Sequence, residues 1–194
     1  MVLAVTTTRN RILDTAQRLI QARGFSAFSY ADIAREVGIR TASIHHHFPS
    51  KGDLAIALMV RYREVFGVVV AEILREHTSV MARLAAYQQV FSNVLRDGHR
   101  LCMCGMLAAD FEALPPEVRA EVRGFFDDNE TWLATVLSHG KRRGETAYRG
   151  SAITQARVVL SALEGAMLVA RTYGDVARFN SVAKRVLEDA LRTS

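Results

Sequence analysis

The chain has 194 residues, enough for a small head with one larger body or for one compact domain. Hydrophobic residues make up 49% and charged residues 23%, a globular balance that excludes a disordered or low-complexity chain. The net charge of +5 suits an anionic partner, and 2 cysteines separated by a single residue exclude a disulfide framework and fit a reducing cytoplasm. Met1 to Thr8 lacks the charged start and apolar run of a secretory leader. Arg, Glu and Lys interrupt the apolar stretches, so no membrane span is expected. G-x-S-x-G, a Gly-rich phosphate loop and H-E-x-x-H are all missing, so no catalytic residue, cofactor or metal site is expected.

In chain order, residues 1 to 7 read as a loose arm and Thr8 as the cap of a first helix. Ile12, Ala16, Leu19 and Ile20 give that helix one apolar stripe, and Gly24 ends it. Phe25 and Phe28 are expected to plug a small three-helix core. Ser29 with Asp32 three residues on predicts the start of a second helix, with Ile33 and Val37 facing inward. Gly38 supplies the open backbone of a sharp turn. A third helix follows from about Arg40 to His47, anchored by Ile44, with Arg40, Thr41, Ser43, His45 and His46 on its other side. Two short helices around a tight turn, the second covered with donors, have the layout of a helix-turn-helix.

Pro49 stops that helix, and Ser50 with Asp53 caps a long one from Lys51 towards His77. Ser79 caps the next, to about Arg96, and Asp97-Gly98 turns the chain. Leu101 to Leu114 is predicted as one short helix, and Pro116 opens another that reaches His139-Gly140. The stretch from Gly140 to Gly150 reads as basic and irregular. Ser151 to Tyr173 and Asp175 to Leu191 are the last two helices. The fold class is therefore all-α with about nine helices, divided into a head at residues 1–50 and a body at 51–194.

The opening R-N-R-I-L-D-T-A-Q-R-L-I-Q-A-R-G-F, the segment I-A-R-E-V-G-I, and the corner H-F-P-S-K followed by Leu54 resemble the N-terminal domain of the TetR family of transcriptional repressors over about Thr8 to Leu58. The resemblance implies a homodimeric, cytoplasmic, nucleoid-associated repressor that binds double-stranded operator DNA and is released by a small-molecule effector. It places Arg40, Thr41, Ala42 and His46 near base edges and Tyr30, Ser43, His45 and Lys51 at phosphates. His45 stands where the family usually has Tyr, which shortens the reach. His47 keeps the family's His, there buried against the helix corner. Arg40 replaces a frequent Ser cap, weakening the helix start while adding a long donor.

For the body, the resemblance implies an apolar effector cavity, with Tyr62, Phe66, Tyr87, Phe91, Met103, Met106, Trp132 and Met167 as candidate lining; the same residues also read as plain core. It implies that the last two helices pair with those of a second subunit, through Val158, Ala162, Gly165 and Ala166. The segment from Cys102 through L-A-A-D is similar to the N-ethylmaleimide-responsive subgroup, in which a cysteine here senses electrophiles. Cys102 is expected in the first turn of its helix, near His99 and Arg100, where its thiolate would be favoured. A thiol-sensing repressor acting through Cys102 is thus one alternative, and a helical interaction protein that binds no DNA is another.

Overall fold

The computed structural model describes residues 7 to 191, so most of the arm expected at residues 1–7 lies outside the described residues. The order is α1 (Thr8–Arg23), α2 (Tyr30–Val37), α3 (Thr41–His47), α4 (Lys51–Glu76), α5 (Val80–Arg96), α6 (Met103–Ala109), α7 (Pro116–Arg142), α8 (Ala152–Thr172) and α9 (Val176–Leu191). The described residues contain no strand, and a short 3-10 turn at Phe111–Ala113 separates α6 from α7. The all-α class and the nine-helix count are both borne out for this part of the chain.

Local signals explain most helix ends. Ser29 and Asp32 form a reciprocal capping box at α2. Ser50 and Asp53 make the same pattern at α4, the Ser50 amide donating to Asp53 at 2.9 Å and the Asp53 amide donating back to the Ser50 hydroxyl at 3.1 Å. Ser79 and Ser151 cap α5 and α8 through their hydroxyls. Three expectations are corrected. The cap of α1 is Thr7, whose hydroxyl accepts from the Asn10 amide, so Thr8 is already helical. The expected helix over Leu101 to Leu114 is shorter and broken, because Asp110 is engaged elsewhere and the chain tightens after it. The third is α7, which runs through Gly140 to Arg142 rather than stopping there. A Cβ on Gly140 would lie 2.6 Å from Val80 and 2.8 Å from Thr146, so this helix position needs glycine for close approach.

The chain forms two compact units. The first comprises residues up to Arg63 together with Met103–Arg123. It takes in more than residues 1–50, because α6 packs on α1 and the turn after α6 holds the loop after α1. Ile12, Leu13, Ile33, Ile44, Leu58 and Met59 are its fully buried centre, with Phe25 and Phe28 closing one side. Burial of each such side chain contributes about 1.5–3 kcal/mol.

The second unit comprises Glu64–Cys102 and the chain from Gly124 onward. Here α8 and α9 pack along each other and α5 lies against both. Polar pairing fixes one of these contacts: Gln88 and Ser92 of α5 both donate to the Asn180 side chain of α9, at 2.9 and 3.0 Å. The α8 helix is more apolar than the sequence reading allowed. It is long enough to cross a membrane, with a mean hydropathy of 1.3 over its best window, although Glu164 lies within it. Val158, Leu168 and Val169 of α8, with Tyr173 just after it, remain more than half or about half exposed.

Gly38 ends α2 at φ 75°, ψ 39°, the left-handed region, with its amide donating to the Ala34 carbonyl at 2.9 Å. Gly38→Ala should therefore destabilise the protein by about 1 kcal/mol, although nothing crowds the new methyl. Gly67 in mid-α4 also has open space but ordinary helical backbone, so Gly67→Ala should stabilise by about 0.5–1 kcal/mol. Urea unfolding of both variants checks the opposite signs.

Candidate functional site

The α3 helix begins without a side-chain cap, as expected from Arg40 at that position. Ile44 is completely buried and sets the rotation of the helix. Arg40, Thr41, Ala42, Ser43, His45 and His46 are consequently all exposed, which puts the expected base and phosphate contacts of α3 on solvent-facing positions. His47 is exposed as well, against the burial implied by the family pattern; its ring packs beside His46 and Phe48. The reason is spacing: Phe48 takes the inward place after Ile44 and is 3% exposed.

His45 is held by its own helix corner. Its Nδ1 lies 3.1 Å from the Pro49 carbonyl, and its ring meets the Tyr30 ring edge-on at 4.8 Å. With Nδ1–H donating to Pro49, the neutral ring presents Nε2 outward as an acceptor.

Tyr30 and Lys51, the other two expected phosphate ligands, are engaged within the first unit. The Tyr30 hydroxyl lies 2.9 Å from the Phe48 carbonyl and 2.5 Å from that of Ser50, bracing the α3–α4 corner. Burial, with Asp53 nearby, pushes the Tyr30 phenol up to about 12, so it remains a donor. The Lys51 ammonium donates to the Phe25 and Phe28 carbonyls at 2.6 and 2.5 Å and sits over both phenyl rings. Burial lowers its pKa, partly offset by Asp110 and Asp32. Asp110 completes this arrangement, accepting from the Phe25 and Ser26 amides at 3.0 and 3.2 Å. Its place just after α6 was the only hint in the sequence, and it was missed.

In the second unit, four of the candidate effector residues come together around one ring, that of Tyr87. Tyr87 stacks on Trp132 with ring centres 5.1 Å apart, meets Phe91 at 5.2 Å, and receives Phe66 edge-on at 6.1 Å. Phe125 joins the cluster against Phe66 at 5.1 Å. The Tyr87 hydroxyl donates to Asn129 at 2.7 Å, and Asn129 donates to the Phe125 carbonyl. Met167 is buried in the same unit. Tyr62, Met103 and Met106 belong to the first unit, where the Met106 methyl approaches the Gly24 turn. Of the residues expected at a dimer face, Val158 and Gly165 are exposed and Ala162 is half-buried, whereas Ala166 is buried.

Cys102 lies immediately before α6 rather than inside its first turn, and it is buried, as is Cys104. Its neighbour is Glu164 of α8, a residue missed from the sequence. Glu164 as a whole is half-buried, yet its Oε1 is sealed from solvent and has no hydrogen-bond partner. The Trp132 indole N–H is sealed and unpartnered in the same way. Burial first, then Cys102, raise the Glu164 carboxyl well above the ordinary value, so the neutral form is favoured. Its signal was legible: a lone acid between Leu160 and Met167, on the inward stripe of an otherwise apolar helix. No group of three or more His, Cys, Asp or Glu suited to a metal ion occurs among the described residues.

Two family models match the chain. Residues 12–58 match the bacterial regulatory proteins of the tetR family, and residues 80–186 match the tetracyclin repressor-like C-terminal domain. The chain belongs to the tetR family of bacterial regulatory proteins. It is a DNA-binding transcriptional regulator rather than an enzyme. A TetR-family regulator from Agrobacterium tumefaciens superposes with a TM-score of 0.91 at 38% identity, over 95% of this chain and 97% of that one. The transcriptional repressor NemR of Escherichia coli K12 is 24% identical over 170 residues, 84% of each chain. A transcriptional regulator from Saccharomonospora viridis, crystallised in complex with choline, superposes with a TM-score of 0.80 at 25% identity, over 96% and 98% of the two chains.

Glu164 links this TetR-family body to pH. Below the ordinary carboxylate range, the folded and unfolded chains both hold the proton. Above it the unfolded chain releases the proton first, so folding stability should fall as pH rises, by up to about 1.4 kcal/mol per unit, until the folded carboxyl also ionises. Glu164→Gln should flatten that slope, as read by urea midpoints at about pH 5 and about pH 7.5.

Proposed function

We propose that this regulator is a homodimeric repressor acting in the cytoplasm, which holds a palindromic operator and leaves it when a small effector binds in the second unit. What carries the reading is the outward face of α3: six exposed positions from Arg40 to His46 around one buried anchor, Ile44. A recognition helix needs that combination, because the buried residue fixes which side chains face the groove. Arg40 forks onto a guanine edge, with Thr41, Ala42 and His46 beside it, while Ser43 and His45 take phosphates. Tyr30 and Lys51, turned inward, hold the corner and the loop that aim α3. A palindrome requires two heads about 34–36 Å apart. The exposed apolar residues of α8 support pairing with a second copy, and the same pairing accounts for an apolar helix that need not enter a membrane.

An effector releases DNA only by binding the DNA-free arrangement better than the DNA-bound one, and tenfold release needs about 1.4 kcal/mol of coupling. The ring cluster around Tyr87 supports a site for such a molecule, as does the choline complex of the Saccharomonospora relative. Burial of Cys102 weighs against direct thiol sensing as the main trigger.

Selection from random duplexes followed by footprinting should recover a palindrome. On it, Arg40→Ala should lose about 1–3 kcal/mol of discrimination while random-duplex affinity changes little. Ser43→Ala should weaken both duplexes alike. Equal losses on both duplexes for Arg40→Ala would overturn the assignment, and a wild type that selects no sequence would overturn the operator reading.

A further inference from the structure

Glu164 is costly where it stands. A sealed carboxyl without a partner for Oε1 destabilises folding, and its ionised form does so by more. A leucine on this stripe of α8 would avoid that cost. Cys102 hydrogen-bonds the Glu164 side chain but leaves Oε1 unpartnered, and the neighbouring polar groups are already engaged, Tyr87 by Asn129 and Asn129 by the Phe125 carbonyl. The Trp132 N–H is a second sealed polar atom without a partner. Two unsatisfied groups beside a set of stacked and edge-on rings mark a place completed by something other than the chain.

The chemistry of the surround selects what completes it. The faces of Tyr87, Trp132, Phe91 and Phe66 carry negative quadrupole potential, which attracts cations and disfavours anions. The Glu164 carboxyl adds to the same sign once it ionises against a bound cation. Metal ions are disfavoured, because the described residues offer no cluster of three suitable ligands. We infer that Glu164 is the counter-ion of an organic cation, an amine or quaternary ammonium on an apolar body, held against the Tyr87–Trp132 rings as the effector of this regulator.

This deepens the effector reading given above and rests on it. Burial, and Cys102 after it, raise the carboxyl's pKa and so favour its protonated form. A bound cation favours the carboxylate, and the displaced proton leaves to solvent. Cation and carboxylate then satisfy each other in a setting where an unpaired charge of either sign is unfavourable.

The test uses the full-length protein and a charge-matched pair of probes, phenyltrimethylammonium and its neutral carbon isostere tert-butylbenzene. Trp132 is the single tryptophan of the chain, so its fluorescence reports on this cluster directly, with calorimetry as a second readout. Wild type should bind the cation at least about tenfold tighter than the isostere, a preference worth about 1.4 kcal/mol or more. Glu164→Gln, checked for helicity, should lose that preference and leave the neutral probe unaffected. Equal binding of the two probes by wild type, a preference retained in Glu164→Gln, or no binding of either probe, as when the sealed groups hold only water, would each overturn the proposal. Operator release is measured separately. Neutral probes that release DNA while the cation fails would sink the cation assignment and leave effector control standing. Cation binding without release would support the assignment and sink the effector reading.

Discussion

The loop between α1 and α2 is held from two sides, and the head depends on that grip. Asp110 accepts from the amides of Phe25 and Ser26, while the Lys51 ammonium donates to the carbonyls of Phe25 and Phe28. Three loop residues are thereby engaged, the amides of Phe25 and Ser26 by a carboxylate and the carbonyls of Phe25 and Phe28 by an ammonium. Charge-assisted hydrogen bonds of this kind are stronger than neutral ones. The consequence is structural: α4 begins at Lys51 and α6 ends just before Asp110, so both helices share a loop with the helix-turn-helix. The first compact unit therefore contains all of α6 and the start of α7, not α1 to α3 alone.

The aim of α3 follows from that grip. The Tyr30 hydroxyl ties α2 to the Phe48 and Ser50 carbonyls, and the Ser50–Asp53 pair starts α4 at the next residue. Tyr30 and Lys51, on which phosphate contacts are expected, also brace this frame through their bonds to backbone carbonyls. The donors of α3 from Arg40 to His46 stay exposed, with His45 held against the Pro49 carbonyl.

Much of this was legible in the sequence, because it rests on local chemistry. Ser29 with Asp32, Ser50 with Asp53, and Gly38 each act within a few residues, so the helix-turn-helix and most helix ends could be read directly. Phe66, Tyr87, Phe91 and Trp132, four of the eight residues read as cavity lining or plain core, do lie together, but their ring-on-ring contacts have no counterpart in the sequence pattern. What escaped depends on contacts far along the chain. Asp110 acts 84 and 85 residues from its partners, and no pattern in the sequence announces such a pair. Glu164 was overlooked for a different reason: an acid inside a helix is usually solvated, and its inward register had to be weighed against that habit. The break after α6 was missed because it comes from Asp110 being drawn to the loop, not from a helix-breaking residue at the site.

The measurement that bears most directly on this account is the operator affinity of Asp110→Ala, set beside its affinity for random duplex. The substitution leaves every exposed donor of α3 in place and removes one side of the grip on the loop. If the grip aims the recognition helix, operator binding should weaken about tenfold or more, near 1.4 kcal/mol, with a much smaller change on random DNA, where phosphate attraction dominates. Operator affinity unchanged in a folded, helical Asp110→Ala protein would contradict it.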